Sequence, residues 1–174
     1  MNNSKIIALY DEYKNLISFC QQHKQISFEL YIDNIYKKSL LLSAASLFET
    51  EISNAIRDFA LAASNENNSL VAFVENKAIK RQYHTFFSWD DKNANQFLGL
   101  FGEDFKQKAR AKIEERNLKD AEKAFLAIGK DRNYLVHRNY IEVNINSTFD
   151  EIYNRYVQAC DFVEFIIEIL NETR

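Results

Sequence analysis

Apolar side chains recur every three or four positions through most of this chain, and that spacing predicts helices. Ile6, Leu9, Tyr10, Tyr13, Leu16, Ile17 and Cys20 form one stripe, read as a first helix from Ser4, its candidate cap, to about Gln22. After a polar break over residues 21–25, the longest helix is expected from near Phe28 to Ala63. Leu41, Ala44, Ala45, Phe48, Ile52, Ala55, Ile56, Phe59 and Ala63 mark its buried side. Glu49 stands beside that stripe, where a carboxylate either reaches solvent at the rim or needs a partner.

Residues 64–69 read as a loop, followed by a helix from about Leu70 to Arg81 and an irregular stretch over residues 84–95 that holds Trp89. A short helix over residues 95–101 should stop at Gly102. A charged helix then runs from Asp104 to Arg116, with a turn at Asn117 and a helix from Leu118 to His137 or Asn139 that Gly129 weakens slightly. Residues 141–146 alternate apolar and polar and read as a short extended segment, which alone cannot make a sheet. Thr148 with Glu151 is a helix-start box for a last helix to about Asn171. Ile152, Tyr156, Cys160, Val163, Ile167 and Leu170 line it, and Phe162, Phe165, Ile166 and Ile169 widen the stripe until it should bury on more than one side.

Composition strengthens the helical reading. The 174 residues include no proline and only three glycines, and no repeat or linker divides them. The expectation is one all-α domain over residues 1–174, a compact helical bundle.

Charge and cysteine usage narrow the function classes. A net charge of −3 opposes indiscriminate nucleic-acid binding, yet residues 104–138 carry ten cations against six anions, a net of +4 that leaves −7 on the remainder. The cationic part of an acidic protein is where a phosphate-binding surface is expected. Cys20 and Cys160 sit in apolar patterns and, with no export signal visible, read as buried reduced thiols of a cytoplasmic protein. Cys20 and His23 are the one Cys–His pair at close spacing and too few for a zinc site, so no metal or cofactor is expected. The apolar runs are too short to span a bilayer, which speaks against a membrane partner.

The candidate chemistry lies in Arg132-Asn133-Tyr134-Leu135-Val136-His137, near the end of the penultimate long helix. Imidazole takes or gives a proton near neutral pH. Guanidinium holds a phosphate through two parallel hydrogen bonds and stabilises charge building on it. The asparagine amide can orient either partner or a ribose hydroxyl. Arg138 and Tyr140 follow in the next turn, and Lys130 precedes; with Glu49 these are candidate supporting or RNA-contacting residues. Asn133 and His137, four apart, share a helix face, whereas Arg132 and His137, five apart, are separated by roughly 140° around the axis. Two such helices crossing at a two-fold axis would bring Arg from one chain to His from the other, and an unwound helix end would do the same within one chain.

The long early helix, the penultimate helix ending in Arg132, Asn133 and His137, and the strongly apolar last helix together resemble the HEPN superfamily (higher eukaryotes and prokaryotes nucleotide-binding). The run Leu40-Leu41-Leu42-Ser43-Ala44-Ala45-Ser46-Leu47-Phe48-Glu49 is similar to the early helix of its RiboL-PSP-like branch. The resemblance implies a helical bundle acting as a metal-independent endoribonuclease, a toxin or anti-phage effector, with Arg132, Asn133 and His137 as the catalytic motif. It also implies an RNA substrate, a homodimer joining two motifs in one cleft, and an antitoxin or other defence-system protein as a further partner. One feature departs from a toxin subset of that family, which carries a tyrosine two residues after the histidine: here position 139 is Asn and the tyrosine is Tyr140. The reading from a different class is a non-catalytic helical module that binds nucleotide, phosphate or protein through the same residues.

Overall fold

The computed structural model describes residues 3–80 and 82–172, which form eight α-helices and one π-helical turn, with no strand among them. Helix α1 spans Ser4–Gln22, and α2, Ile26–Ala63, is the longest. The three-residue turn between them, with Lys24 at φ 54°, folds α1 back onto α2 as a helical hairpin. Ser4 is not the cap of α1: the cap position is Asn3, which makes no side-chain capping bond, and Ser4 is already helical.

Helix α3 (Asn68–Val74) starts earlier than the loop-like composition of residues 64–69 suggests. The Asn67 side chain accepts from the Ser69 and Leu70 N–H groups, each at 3.1 Å, and so turns the end of that polar run into a cap. The helix does not continue regularly as expected but passes into the π turn Glu75–Ile79, and Arg81, its predicted end, lies outside the described residues. Two short helices follow, α4 (Tyr83–Phe86) and α5 (Asn95–Gly99), before Gly102 at φ 96° opens α6 (Glu103–Glu115). Helix α7 spans Lys119–Val136 and α8 spans Phe149–Glu172.

Helix α8 is the centre of the molecule. It packs against both α7 and α2, and Phe149, Ile152, Tyr156, Phe162, Val163, Phe165, Ile166, Ile169 and Leu170 are all buried along it. Each such side chain contributes about 1.5–3 kcal/mol by leaving water, so the wide stripe dominates the anchoring of α7. Its start is the box the spacing foretold. The Thr148 N–H donates to a Glu151 carboxylate oxygen at 2.8 Å, and the Glu151 N–H donates to Thr148 Oγ1 at 3.1 Å.

Residues 141–146 form no strand. Residues 140–142 make a turn and the following stretch is irregular, because the segment has no neighbouring strand to take its backbone groups. It is held instead by side chains from the helices. Lys38, only 1% exposed, donates from Nζ to the Tyr140 carbonyl at 2.6 Å and lies 4.8 Å from the centre of the Tyr140 ring. Arg155 on α8 bridges Asp131 (2.9 Å) and Ser147 Oγ (2.5 Å), closing the other side. The path of the chain after the motif is thus set from α2 and α8.

Candidate active site at the end of α7

Phe125, Ile128, Gly129, Arg132 and Asn133 follow one another at helical spacing on α7, and together they form one wall of a small pocket. Ala45, Phe48 and Glu49 of α2 face them, and Tyr83, His84 and Trp89 of the connecting segment close the third side. The cavity has about 20 Å³ open to water, room for one or two water molecules and too little for a nucleobase, so larger ligands meet it at its mouth.

Trp89 builds that third side. Its indole N–H donates to the His84 carbonyl at 3.0 Å, and its ring packs on Gly129 of α7 and beside Phe87, 5.0 Å between centroids. Behind it Glu122 of α7 is buried and accepts from both terminal nitrogens of Arg110 on α6, and from the Ala94 N–H at 2.7 Å. A carboxylate that deep is tolerated because its oxygens are filled by charged and backbone donors. It ties α6, α7 and the segment after Trp89 into one frame around the pocket.

Tyr83 is buried in the pocket wall. Burial, and then the Glu49 carboxylate, push its hydroxyl well above the ordinary phenol range, while Arg132 pulls it part of the way back. The hydroxyl therefore stays protonated.

The predicted site residues separate into two groups. Arg132, Asn133 and Glu49 come together around the pocket, Glu49 half-buried and facing it. Arg132 Nη1 donates to Asn133 Oδ1 at 3.1 Å. His137 does not line the pocket. It is the exposed C-cap of α7, one turn beyond Asn133, and its N–H donates to the Asn133 carbonyl at 3.2 Å.

The other three lie elsewhere. Lys130 pairs with Asp90 at 2.9 Å on a neighbouring face, the Arg138 guanidinium lies over the Tyr134 ring at 4.4 Å, and Tyr140 is held against Lys38 away from the pocket. His84 and Trp89 are pocket residues that the spacing of motifs does not reveal, since the one sits in a single helical turn and the other in the irregular stretch after it, both too short for a periodic pattern.

The cationic segment proves to be largely ion-paired, mostly with acids from outside it. Eight of its ten cations ion-pair with carboxylates, such as Arg116 with Glu168 at 2.5 Å and Lys119 with Glu114 at 2.6 Å. A broad basic surface is therefore not what the fold presents. Arg132 and Arg138, the two arginines of the motif region, are the cations of this segment without a carboxylate partner among the described residues.

Elsewhere the histidine expected beside Cys20 does other work. His23 Nδ1 donates to the Phe19 carbonyl at 2.9 Å and its ring stacks on Phe19, while Cys20 and Cys160 are buried free thiols. No group of three His, Cys, Asp or Glu is placed to hold a metal ion among the described residues. None of their helices is long and apolar enough to cross a membrane.

The all-α architecture, with the Arg132-to-His137 sequence closing α7 beside an apolar last helix, meets a matching profile over nearly its whole length. The RiboL-PSP-HEPN family matches residues 7–172. The chain belongs to that HEPN family. No curated protein and no solved structure matches it.

Proposed function

We propose that this HEPN protein is a metal-independent endoribonuclease, acting as a toxin or anti-phage effector. The observation that carries the reading is Arg132: a half-buried guanidinium without a carboxylate partner among the described residues, bonded to Asn133 at the mouth of a pocket. Side chains built for structure in this segment are paired with acids; an arginine kept free of them is available to a phosphate.

In this reading a ribose 2′-oxygen attacks the adjacent phosphorus, forming the O2′–P bond as the P–O5′ bond breaks. Arg132 neutralises the charge gathering on the non-bridging oxygens. The Asn133 amide, its oxygen engaged by Arg132, points its N–H₂ toward a substrate hydroxyl or phosphate oxygen. The imidazole of His137 moves one of the protons, taking it from the 2′-hydroxyl or giving it to the departing 5′-oxygen. The products are a 2′,3′-cyclic phosphate and a 5′-hydroxyl, and DNA is inert for want of the nucleophile.

A homodimer completes the proposal. His137 stands outside the pocket of its own chain, so a second copy meeting this one at the α7 ends would join the Arg132 of one to the His137 of the other. Exposed Tyr134, Val136 and Ile141 around the motif, with Ile141 at 83% exposure, supply apolar surface for such a contact. An antitoxin or other defence-system protein is the further partner proposed.

The position of His137 also favours a second reading. An exposed histidine away from the pocket suits a module in which Arg132 and Asn133 bind phosphate without cleaving. Induced expression separates the two: the wild type should arrest growth and degrade total RNA, and His137→Ala should do neither while accumulating as folded protein. Equal RNA degradation by both would remove His137 from the mechanism, and intact RNA with both would favour the binding module.

A further inference from the structure

The Arg132 pocket has room for one or two water molecules, so it can grip a phosphate at its mouth but cannot take a base. A bound RNA strand must lay its bases elsewhere. At about 100° per residue, the side chains at the end of α7 follow one another around its axis in the order Arg132, Asn133, His137, Tyr134. The pocket lies at one end of that order. At the other end, past His137, Tyr134 stands between two adjoining grooves of about 300 and 430 Å³ open to water, and residues 142–147 supply their far wall.

We propose that these joined grooves are a subsite for one unpaired nucleobase of the bound RNA, with the Arg138 guanidinium as its stacking platform. The subsite rests on the RNA ligand of the ribonuclease reading, not on its cleavage step. Arg138 is exposed and has no carboxylate partner among the described residues. Its guanidinium lies over the Tyr134 ring at 4.4 Å, so the ring backs it from one side while the other side meets solvent in the groove both residues line. A planar cation backed in this way holds a splayed base by stacking. The alternation of residues 143–146, which the catalytic motif leaves unused, supplies contacts for the base edge. Val143 is buried and Ile145 half-buried, whereas Asn144 and Asn146 are exposed and line both grooves. An amide both donates and accepts, as reading a base edge requires. That wall is anchored from α8, where Arg155 donates to Asp131 at 2.9 Å and to Ser147 Oγ at 2.5 Å. Glu142, the acid lining the Arg138 groove, opposes a phosphate there but can accept from the amino group of a base.

The test uses labelled RNA hexamers that cannot be cleaved because every 2′-oxygen is methylated, in adenine, cytosine, uracil and base-free forms. Kd is read by fluorescence anisotropy, with circular dichroism and sedimentation confirming the fold and assembly of each variant. Wild type should bind at least one base-bearing hexamer about 5- to 150-fold tighter than the base-free one, the worth of one stacked base. Arg138→Lys keeps the charge and loses the plane, so it should remove most of that difference and leave base-free binding unchanged; Tyr134→Phe should keep the difference. Arg132→Ala should weaken all four hexamers alike, as loss of a phosphate grip does. Asn144→Ala combined with Asn146→Ala should flatten the preference among the three bases, and an unaltered preference overturns the edge contacts. Equal wild-type binding of base-bearing and base-free hexamers overturns the subsite. So does an Arg138→Lys protein that binds as wild type does, or one that loses base-free binding equally, the mark of a phosphate contact. The ribonuclease reading is judged separately, by cleavage of unmethylated RNA. A wild type that cleaves while Arg138→Lys binds unchanged loses the subsite alone, and one that binds in the expected pattern without cleaving keeps the subsite and loses the ribonuclease.

Discussion

The ring of Trp89 occupies the space a side chain at position 129 would need: a Cβ built on Gly129 comes within 1.9 Å of the ring carbons Cε3 and Cζ3. Glycine in a helix interior is unfavourable by about 1 kcal/mol relative to alanine, so its presence on α7 reflects the close approach of this indole. The contact matters beyond packing, since the same indole holds the His84 carbonyl, and Arg132 lies one turn further along the same face of α7.

Gly129→Ala should therefore destabilise despite the gain in helix propensity. Trp89 is enclosed by Tyr83, Phe87 and Phe125, with ring centroids 5.0–6.0 Å away, and cannot retreat without disturbing them. Overpacking of this kind costs about 1–3 kcal/mol, and RNA cleavage should fall along with the melting temperature as the pocket wall beside Arg132 shifts. A variant melting at or above wild type would show that the indole moves aside freely.

How much of this was legible in the sequence follows from how far apart the cooperating residues are. The Thr148–Glu151 box and the stripe of α8 repeat within a turn or two, so spacing alone reveals them. Arg132 and Asn133 are adjacent and carry their chemistry openly, and Glu49 is visible as an acid beside an apolar stripe. The Trp89–Gly129 contact joins an irregular segment to a helix 40 residues away and leaves no periodic trace.

Charge is misleading for the same reason. Lys112 finds Glu172 across 60 residues and Arg116 finds Glu168 across 52, so the cations look free until α6 lies against α8. The alternation over residues 141–146 suggests extended chain, but the flanking residues are held by Arg155, on the next helix, and by Lys38, 102 residues before its partner Tyr140.

Stability should fall in alkali. Burial pushes the Cys160 thiol up from its ordinary value of 9.0 to about 11. Burial likewise raises the hydroxyls of Tyr13, Tyr83 and Tyr156 above the phenol range. The unfolded chain gives up these protons first, so between the unfolded and folded values the native state holds more protons than the unfolded one. Stability is then fully present below the unfolded thiol value and is lost as pH rises through the folded one. Thermal midpoints should decline from the upper end of the ordinary thiol range onward, and less steeply at the start in Cys160→Ala. A flat profile through that range would mean the thiol is open to solvent.

Oligomeric state offers an independent check on the two-chain site. Wild type should sediment as a dimer at micromolar concentration, and Ile141→Asp or Val136→Asp, on exposed side chains, should give folded monomers with little RNA cleavage. A monomeric wild type with full activity would place Arg132 and His137 in one chain's site, reached by unwinding of the α7 end.

The motif itself makes the sharpest demand. Arg132→Ala should lose activity by a factor comparable to His137→Ala, about 10²- to 10⁴-fold, because one removes charge stabilisation and the other a proton transfer. Arg132→Lys should recover only part: the compact ammonium keeps the charge but not the planar pair of donors that grips two phosphate oxygens. It also loses the planar hold on Asn133 Oδ1, which lets the amide rotate. Asn133→Ala should be milder, since orientation goes and charge stays, and its loss should appear in kcat more than in KM. EDTA should leave the wild-type rate unchanged, as expected where guanidinium and imidazole carry the charge and the protons. Chelator-sensitive cleavage, or a full rescue by lysine, would mean that the phosphate is held by something other than the two-pronged grip of Arg132.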